Sequence, residues 1–176
     1  YVHYCTEADS VPTCSNGQSL AWRDRAARTR GMSRKNDSAE QRPDCQLYLI
    51  SPLDVGGEFP DRLARALDAG PVAAFQFRVK GLDEHAAAAL AEPLRRICAE
   101  RDVAFIVNDS IALAKRLGAD GVHLGEGDGE VAEARERLGH EAQIGVTCNN
   151  SRHKAMEAGE LGADYVAFGA FFPSTT

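Results

Sequence analysis

Several residues able to do chemistry sit directly after short apolar runs of this chain. Gln76, Arg78 and Lys80 alternate through Phe75-Gln-Phe-Arg-Val-Lys80. In extended backbone successive side chains point to opposite faces, so these three share one face. An arginine and a lysine converging among apolar neighbours suit an anion, the guanidinium as a planar fork and the ammonium as a point charge. The same two cations would also serve as solvated surface charges matched to nearby carboxylates. Asn108-Asp109 follows Phe105-Ile-Val107, and His123-Leu-Gly-Glu-Gly-Asp128 follows Gly121-Val122. Asp109 and Asp128 beside such cations make a magnesium–phosphate assembly, because magnesium takes few carboxylates, keeps waters and binds phosphate oxygens. Each aspartate also has a local use, Asp109 as a helix N-cap and Asp128 as a turn or cap residue after glycine. His123, inside an apolar strand, reads as a packed or hydrogen-bonded residue rather than a base or metal ligand. Thr147 ends Gln143-Ile-Gly-Val-Thr147 with a hydroxyl that can bond phosphate, and Ser151 is placed to cap the helix that follows. Ser174 and Thr176 lie in a hydroxyl-rich loop, Phe172-Pro-Ser-Thr-Thr176, whose plain alternative is an ordinary turn.

The elements that must position these residues follow one rhythm. Gln46-Leu-Tyr-Leu-Ile-Ser51 is a short apolar run closed by Pro52 and Gly56-Gly57, which predicts a buried strand and then a loop. Leu63, Ala66 and Leu67 mark one face of a helix ended by Gly70-Pro71, and a second strand spans residues 73–79. Asp83 caps a helix running to about Glu100 with Leu90, Leu94, Ile97 and Cys98 inward. The cycle repeats with strands at 103–107, 121–124, 143–147 and 165–169 and helices between them. Strict alternation, with strands apolar on both faces, implies a parallel sheet covered by helices. A doubly wound open sheet and a (β/α)8 TIM barrel both satisfy it. Gly-Ala-Asp recurs before two strands, at Gly118-Ala-Asp120 and Gly162-Ala-Asp164, which suggests equivalent units and favours the barrel. Such barrels take about 200 or more residues, so the expectation is an α/β TIM barrel, C-terminally truncated after about the sixth strand. Chemistry in these folds sits where strands end and βα loops begin.

Bulk properties bound the remainder. The chain has 176 residues and a formal net charge of -6, with 26% charged and 44% hydrophobic residues. This acidic balance argues against a nucleic-acid surface, which needs clustered cations. No apolar run approaches the roughly 18 residues of a membrane span. The five cysteines form no Cys-x-x-Cys pair, so they read as unpaired thiols of a reducing cytoplasm. Residues 1–44 are polar, with a basic stretch around Arg23, Arg25, Arg28, Arg30, Arg34 and Lys35 and no apolar periodicity. They read as a disordered or non-native leader ahead of a partial barrel domain over 45–176. Met32-Ser-Arg-Lys35 reads as the native start, with residues 1–31 as non-native or upstream-translated sequence.

The ordered set Gln76-Phe-Arg-Val-Lys80, Asn108-Asp109, Gly118-Ala-Asp-Gly-Val-His-Leu-Gly125 with Asp128, Gly145-Val-Thr147 and Gly162-Ala-Asp-Tyr-Val-Ala-Phe-Gly169 with Phe172-Pro-Ser-Thr-Thr176 resembles the thiamine-phosphate synthase family across residues 46–176. The resemblance implies a (β/α)8 barrel that joins hydroxymethylpyrimidine diphosphate to a thiazole phosphate, releasing pyrophosphate. It implies Arg78, Lys80 and Asn108 on the diphosphate, Gln76 near the pyrimidine, and Asp109 and Asp128 on Mg2+. It also implies Thr147, in place of a usual serine, near the leaving group, with Ser174 and Thr176 at the thiazole phosphate. Partners would be these small molecules, without nucleic acid or membrane, in the cytoplasm. Asn149 replaces a histidine common in the family, on which the related thiazole tautomerase relies. That isomerase and a non-catalytic phosphate-ligand binder are the alternative functions. Mass spectrometry of the natural protein should place its amino terminus at or after Met32, and a terminus upstream would refute the assigned start.

Overall fold

The structure is a computed structural model and describes residues 46–172. The leader expected over 1–44, and Ser174 and Thr176, lie outside the described residues. Six strands alternate with five helices: β1 (Leu47–Ile50), α1 (Phe59–Asp68), β2 (Val72–Phe77), α2 (Glu84–Ala99), β3 (Ala104–Asn108), α3 (Ile111–Leu117), β4 (Gly121–Leu124), α4 (Val131–Leu138), β5 (Gln143–Asn149), α5 (Arg152–Glu160) and β6 (Tyr165–Phe168). Every strand pairs in parallel with the next, in the order β1-β2-β3-β4-β5-β6. A doubly wound sheet reverses its order at a switch point, and this one does not. The sheet is also curled. Tyr48 Oη on β1 lies 2.8 Å from Tyr165 Oη on β6, although a flat sheet would hold those strands five steps of about 4.8 Å apart. Six sequential, curled parallel strands backed by helices form a partial barrel of the (β/α) type.

The two faces of the sheet differ. Phe75, Phe77, Phe105, Val107, Val122, Leu124 and Ile144 point outward and are fully buried against Leu63, Leu67, Leu94, Cys98, Ala114 and Ala134 of the helices. Phe105 stacks on Phe77 with centroids 5.9 Å apart and meets Phe75 at 6.0 Å. Burying each such side chain contributes about 1.5–3 kcal/mol, so this layer dominates cohesion. Cys98 and Cys148 are buried free thiols, as unpaired cysteines should be.

Helix starts follow the expected chemistry. Asp83 accepts from Ala86 N at 2.8 Å, and Ser151 accepts from Lys154 N at 3.2 Å. At α3 the cap is Ser110, which accepts from Leu113 N at 3.1 Å, so the capping use of Asp109 is not the one adopted. The second strand ends at Phe77 rather than Val79. Ser51 Oγ accepts from Arg78 N at 2.9 Å and donates to Arg78 O at 3.1 Å, taking both backbone groups out of the ladder.

The repeated Gly-Ala-Asp is one device used twice. Asp120 Oδ2 accepts from Phe105 N, and Asp164 Oδ2 accepts from Ile144 N, both at 2.8 Å. Each aspartate therefore ties the start of its own strand to the start of the strand before it. Asp164 also pairs with Arg135 at 2.7 Å, whose guanidinium reaches the carbonyls of Gly139, His140, Ala142 and Gly162. Asp120→Ala should cost about 2 kcal/mol, as expected for a hydrogen bond to a charged group. Urea unfolding measures it, and a change below about 0.5 kcal/mol would reduce the tie to a surface contact.

Candidate active site at the strand mouths

Parallel pairing brings the carboxyl ends of β2, β3, β4 and β5 to one rim. Arg78, Asn108 and Thr147 are partly exposed there, and Lys80 is exposed. Among the described residues neither Arg78 nor Lys80 makes a side-chain ion pair within 4 Å.

Asp109 follows β3 in left-handed backbone, with φ 66, a conformation unusual for a side chain other than glycine. Its N–H donates to His123 O at 2.8 Å, and Ser110 N donates to Asn108 O at 2.8 Å, which holds the turn. With Ser110 capping α3, the Asp109 carboxylate is turned to the loop after β4. There Gly125 N donates to Asp128 Oδ2 at 3.0 Å, so the turn use of Asp128 is adopted as well. A Cβ on Gly125 would lie 2.6 Å from Asp128 Oδ2 and 3.8 Å from Asp109 Oδ1. Gly125 thus sits against the Asp128 carboxylate, with Asp109 in ordinary contact beyond it.

Their closeness has an electrostatic consequence. Burial, then the hydrogen bond and charge of Asp128, pushes the Asp109 carboxyl up to about 6, while Lys80 and Arg78 pull it down. Burial and the like charge of Asp128 both favour the protonated form of Asp109. Among the described residues no group of three or more His, Cys, Asp or Glu is placed to hold a metal.

Beneath the rim, the inner face of the sheet is polar. Gln76 Nε2 donates to Tyr48 Oη at 3.1 Å, and Tyr48 Oη meets Tyr165 Oη. Tyr165 Oη lies 3.1 Å from His123 Nδ1, and His123 Nε2 lies 2.8 Å from Thr147 Oγ1. His123 is indeed a hydrogen-bonded strand residue. Burial holds its imidazole down to about 4, against the pull of the Asp128 charge, and burial pushes the Tyr48 phenol up to about 12. Gly145 makes room: a Cβ there would overlap the Tyr165 ring. Of the residues expected in the site, Arg78, Lys80, Asn108, Asp109, Asp128 and Thr147 share the rim, whereas Gln76 lies deeper and is buried. Sequence reasoning missed Tyr48, Tyr165, Gly145 and Gly125. The available signal was parity, since Tyr48 and Tyr165 occupy inward positions of their strands, with Gly145 in register beside Tyr165.

A curled parallel β/α sheet with cations and carboxylates gathered at its carboxyl rim defines a partial (β/α)-barrel protein. Residues 47–176 match the family model described as thiamine monophosphate synthase, and the chain belongs to that family. It is 74% identical over 140 residues to the thiamine-phosphate synthase of Erythrobacter litoralis, covering 78% of this chain and 66% of that protein. It is 54% identical over 134 residues to the thiamine-phosphate synthase of Rhodospirillum centenum, covering 76% of this chain and 65% of that protein. The solved thiamine phosphate pyrophosphorylase of Pyrococcus furiosus superposes with a TM-score of 0.64 at 32% identity, covering 73% of this chain and 61% of that one. The chain thus spans just under two thirds of the length of the curated relatives it matches.

The carboxylate pair makes a signed prediction. Asp109 binds its proton more tightly folded than unfolded, so its contribution is full below about 4 and is lost as pH rises through about 6. In buffer free of divalent cations, Asp109→Asn should gain in thermal midpoint relative to the natural sequence as pH rises through that window. A pH-independent difference would exclude the close pair.

Proposed function

We propose that the chain carries the diphosphate site of a thiamine-phosphate synthase, a transferase that joins hydroxymethylpyrimidine diphosphate to thiazole phosphate and releases pyrophosphate. The observation that carries this reading is the Asp109–Asp128 pair facing Arg78 and Lys80. Magnesium fits the pair: two hard oxygen donors on adjacent loops leave coordination positions for water and phosphate oxygens. A bound magnesium would supply positive charge to the diphosphate oxygens as they become a leaving group.

The residues of the chain account for the remaining steps. Arg78 and Lys80 bind the diphosphate, with Asn108 beside them as a neutral donor, and stabilise charge as the carbon–oxygen bond breaks. The bonding electrons leave with pyrophosphate, and the thiazole nitrogen lone pair forms the new carbon–nitrogen bond. In this reading the Thr147 hydroxyl bonds the leaving group, and Gln76 holds the pyrimidine from below. Ser174 and Thr176 would reach the thiazole phosphate. No general base is required, since the attacking nitrogen already carries its lone pair. That asks nothing of His123, which burial keeps neutral. Among the described residues no helix is long and apolar enough to cross a membrane. Small-molecule substrates and a cytoplasmic location accord with this.

In a protein spanning the full family length, Asp109→Ala should lower turnover by about 100-fold or more while the fold persists. Arg78→Ala should raise the Michaelis constant for the diphosphate substrate or lower turnover. Steady-state assay of thiamine phosphate formation checks both. Near-normal kinetics in the Asp109 variant would remove the metal role, and thiazole isomerisation without condensation would replace the reading altogether.

A further inference from the structure

The loop between β4 and α4 carries Asp128, yet its own sequence does little to hold that carboxylate in place. Gly125-Glu-Gly-Asp-Gly129 puts glycine at every second position, with Gly127 at φ 89 and Gly129 at φ 132. Such a backbone has the most conformational freedom to lose on ordering. Inside the loop, Gly125 N donates to Asp128 Oδ2 at 3.0 Å, and Asp128 N donates to Gly125 O at a long 3.4 Å. These bonds close the turn on itself and do not fix it to a neighbour.

Glu126 supplies an outside anchor. Its Oε1 accepts from Lys154 Nζ at 2.9 Å, and Lys154 stands in the first turn of α5. That end is a firm post. Ser151 N donates to Cys148 O at 2.9 Å, closing the turn after β5, and Ser151 Oγ accepts from Lys154 N at 3.2 Å. Among the described residues no other side-chain hydrogen bond or ion pair runs from 125–129 to β5 or α5. The pair therefore spans two neighbouring strand mouths, the one that leads to Asp128 and the one that carries Thr147.

The Glu126 and Lys154 side chains are 73% and 42% exposed. At that exposure water screens an ion pair, and it adds little to global stability. What it can change is where a glycine-rich loop rests. That place matters for a cation such as magnesium, which demands near-ideal octahedral geometry from its ligands.

We propose that Glu126 and Lys154 are positioning residues: their ion pair tethers the Asp128 loop to α5 and so fixes where a magnesium-bound diphosphate is held. The second half of this statement rests on the proposed function; the tether itself does not.

Both tests use a protein spanning the full family length. The first is amide hydrogen exchange at Gly125 and Asp128 without ligand. Lys154→Met, remote in sequence from both amides, should speed their exchange about 2- to 5-fold, the range of an exposed ion pair. Unchanged exchange there overturns the tether. The second is binding of pyrophosphate at saturating magnesium. Glu126→Met and Lys154→Met should each weaken it about 2- to 5-fold, and the double variant should lose no more than either alone. Lys154→Arg, which keeps the pair, should bind as the natural sequence does. A charge effect without a tether predicts the opposite sign for Glu126→Met, because magnesium pyrophosphate is a net anion and would lose a repelling carboxylate. Unchanged or tighter binding in Glu126→Met, or additive losses in the double variant, overturns the proposal. Failure of the natural sequence to bind pyrophosphate at all would sink the functional reading, while the exchange result would still decide the tether.

Discussion

Parallel strand pairing is the constraint on which the rest depends. Because β1 to β6 all run the same way, every strand must return through a helix, and every strand delivers its last residue to the same rim. Arg78, Asn108, Asp109, Asp128 and Thr147 come from four different strand ends. An antiparallel sheet would have sent alternate ends to the far side. The opposite edge carries the repeated aspartate ties to Phe105 N and Ile144 N. One edge is thus committed to holding strands in register and the other is left for chemistry.

Curling adds a second consequence. It turns one sheet face inward, away from the described helices, and brings Tyr48 and Tyr165 into hydrogen-bond contact. Polar side chains can occupy this interior only if they satisfy one another, since an unpaired buried polar group is costly. Among the described residues none is left unpaired. One glycine makes the packing possible: Gly145 yields its side-chain space to the Tyr165 ring. The polar interior and the charged rim are therefore one continuous structure, joined at His123 and Thr147.

Much of this was legible beforehand. The element order, the caps Asp83 and Ser151, the inward row along α2 and the placement of the site at strand ends all follow from local rules of periodicity and capping. The rim residues were legible because each follows an apolar run directly. Two local alternatives were not separable in advance. Asp109 and Ser110 can both cap α3, and the choice fell to Ser110. Gln76, Arg78 and Lys80 share a parity, but the strand ends at Phe77, so Gln76 went inward while the two cations stayed at the rim.

Sequence by itself determined the alternation of strands and helices, the family, and the residue types that stand at the strand ends. Those are properties of short windows and ordered motifs, in which each residue is judged against near neighbours. Only the tertiary structure decided that Asp109 and Asp128, nineteen positions apart, form one charged pair. It alone joined Tyr48 to Tyr165 across 117 positions and made His123 the partner of Thr147. The physical reason is that the curl of the sheet sets these distances, and curl is a property of all the strands together.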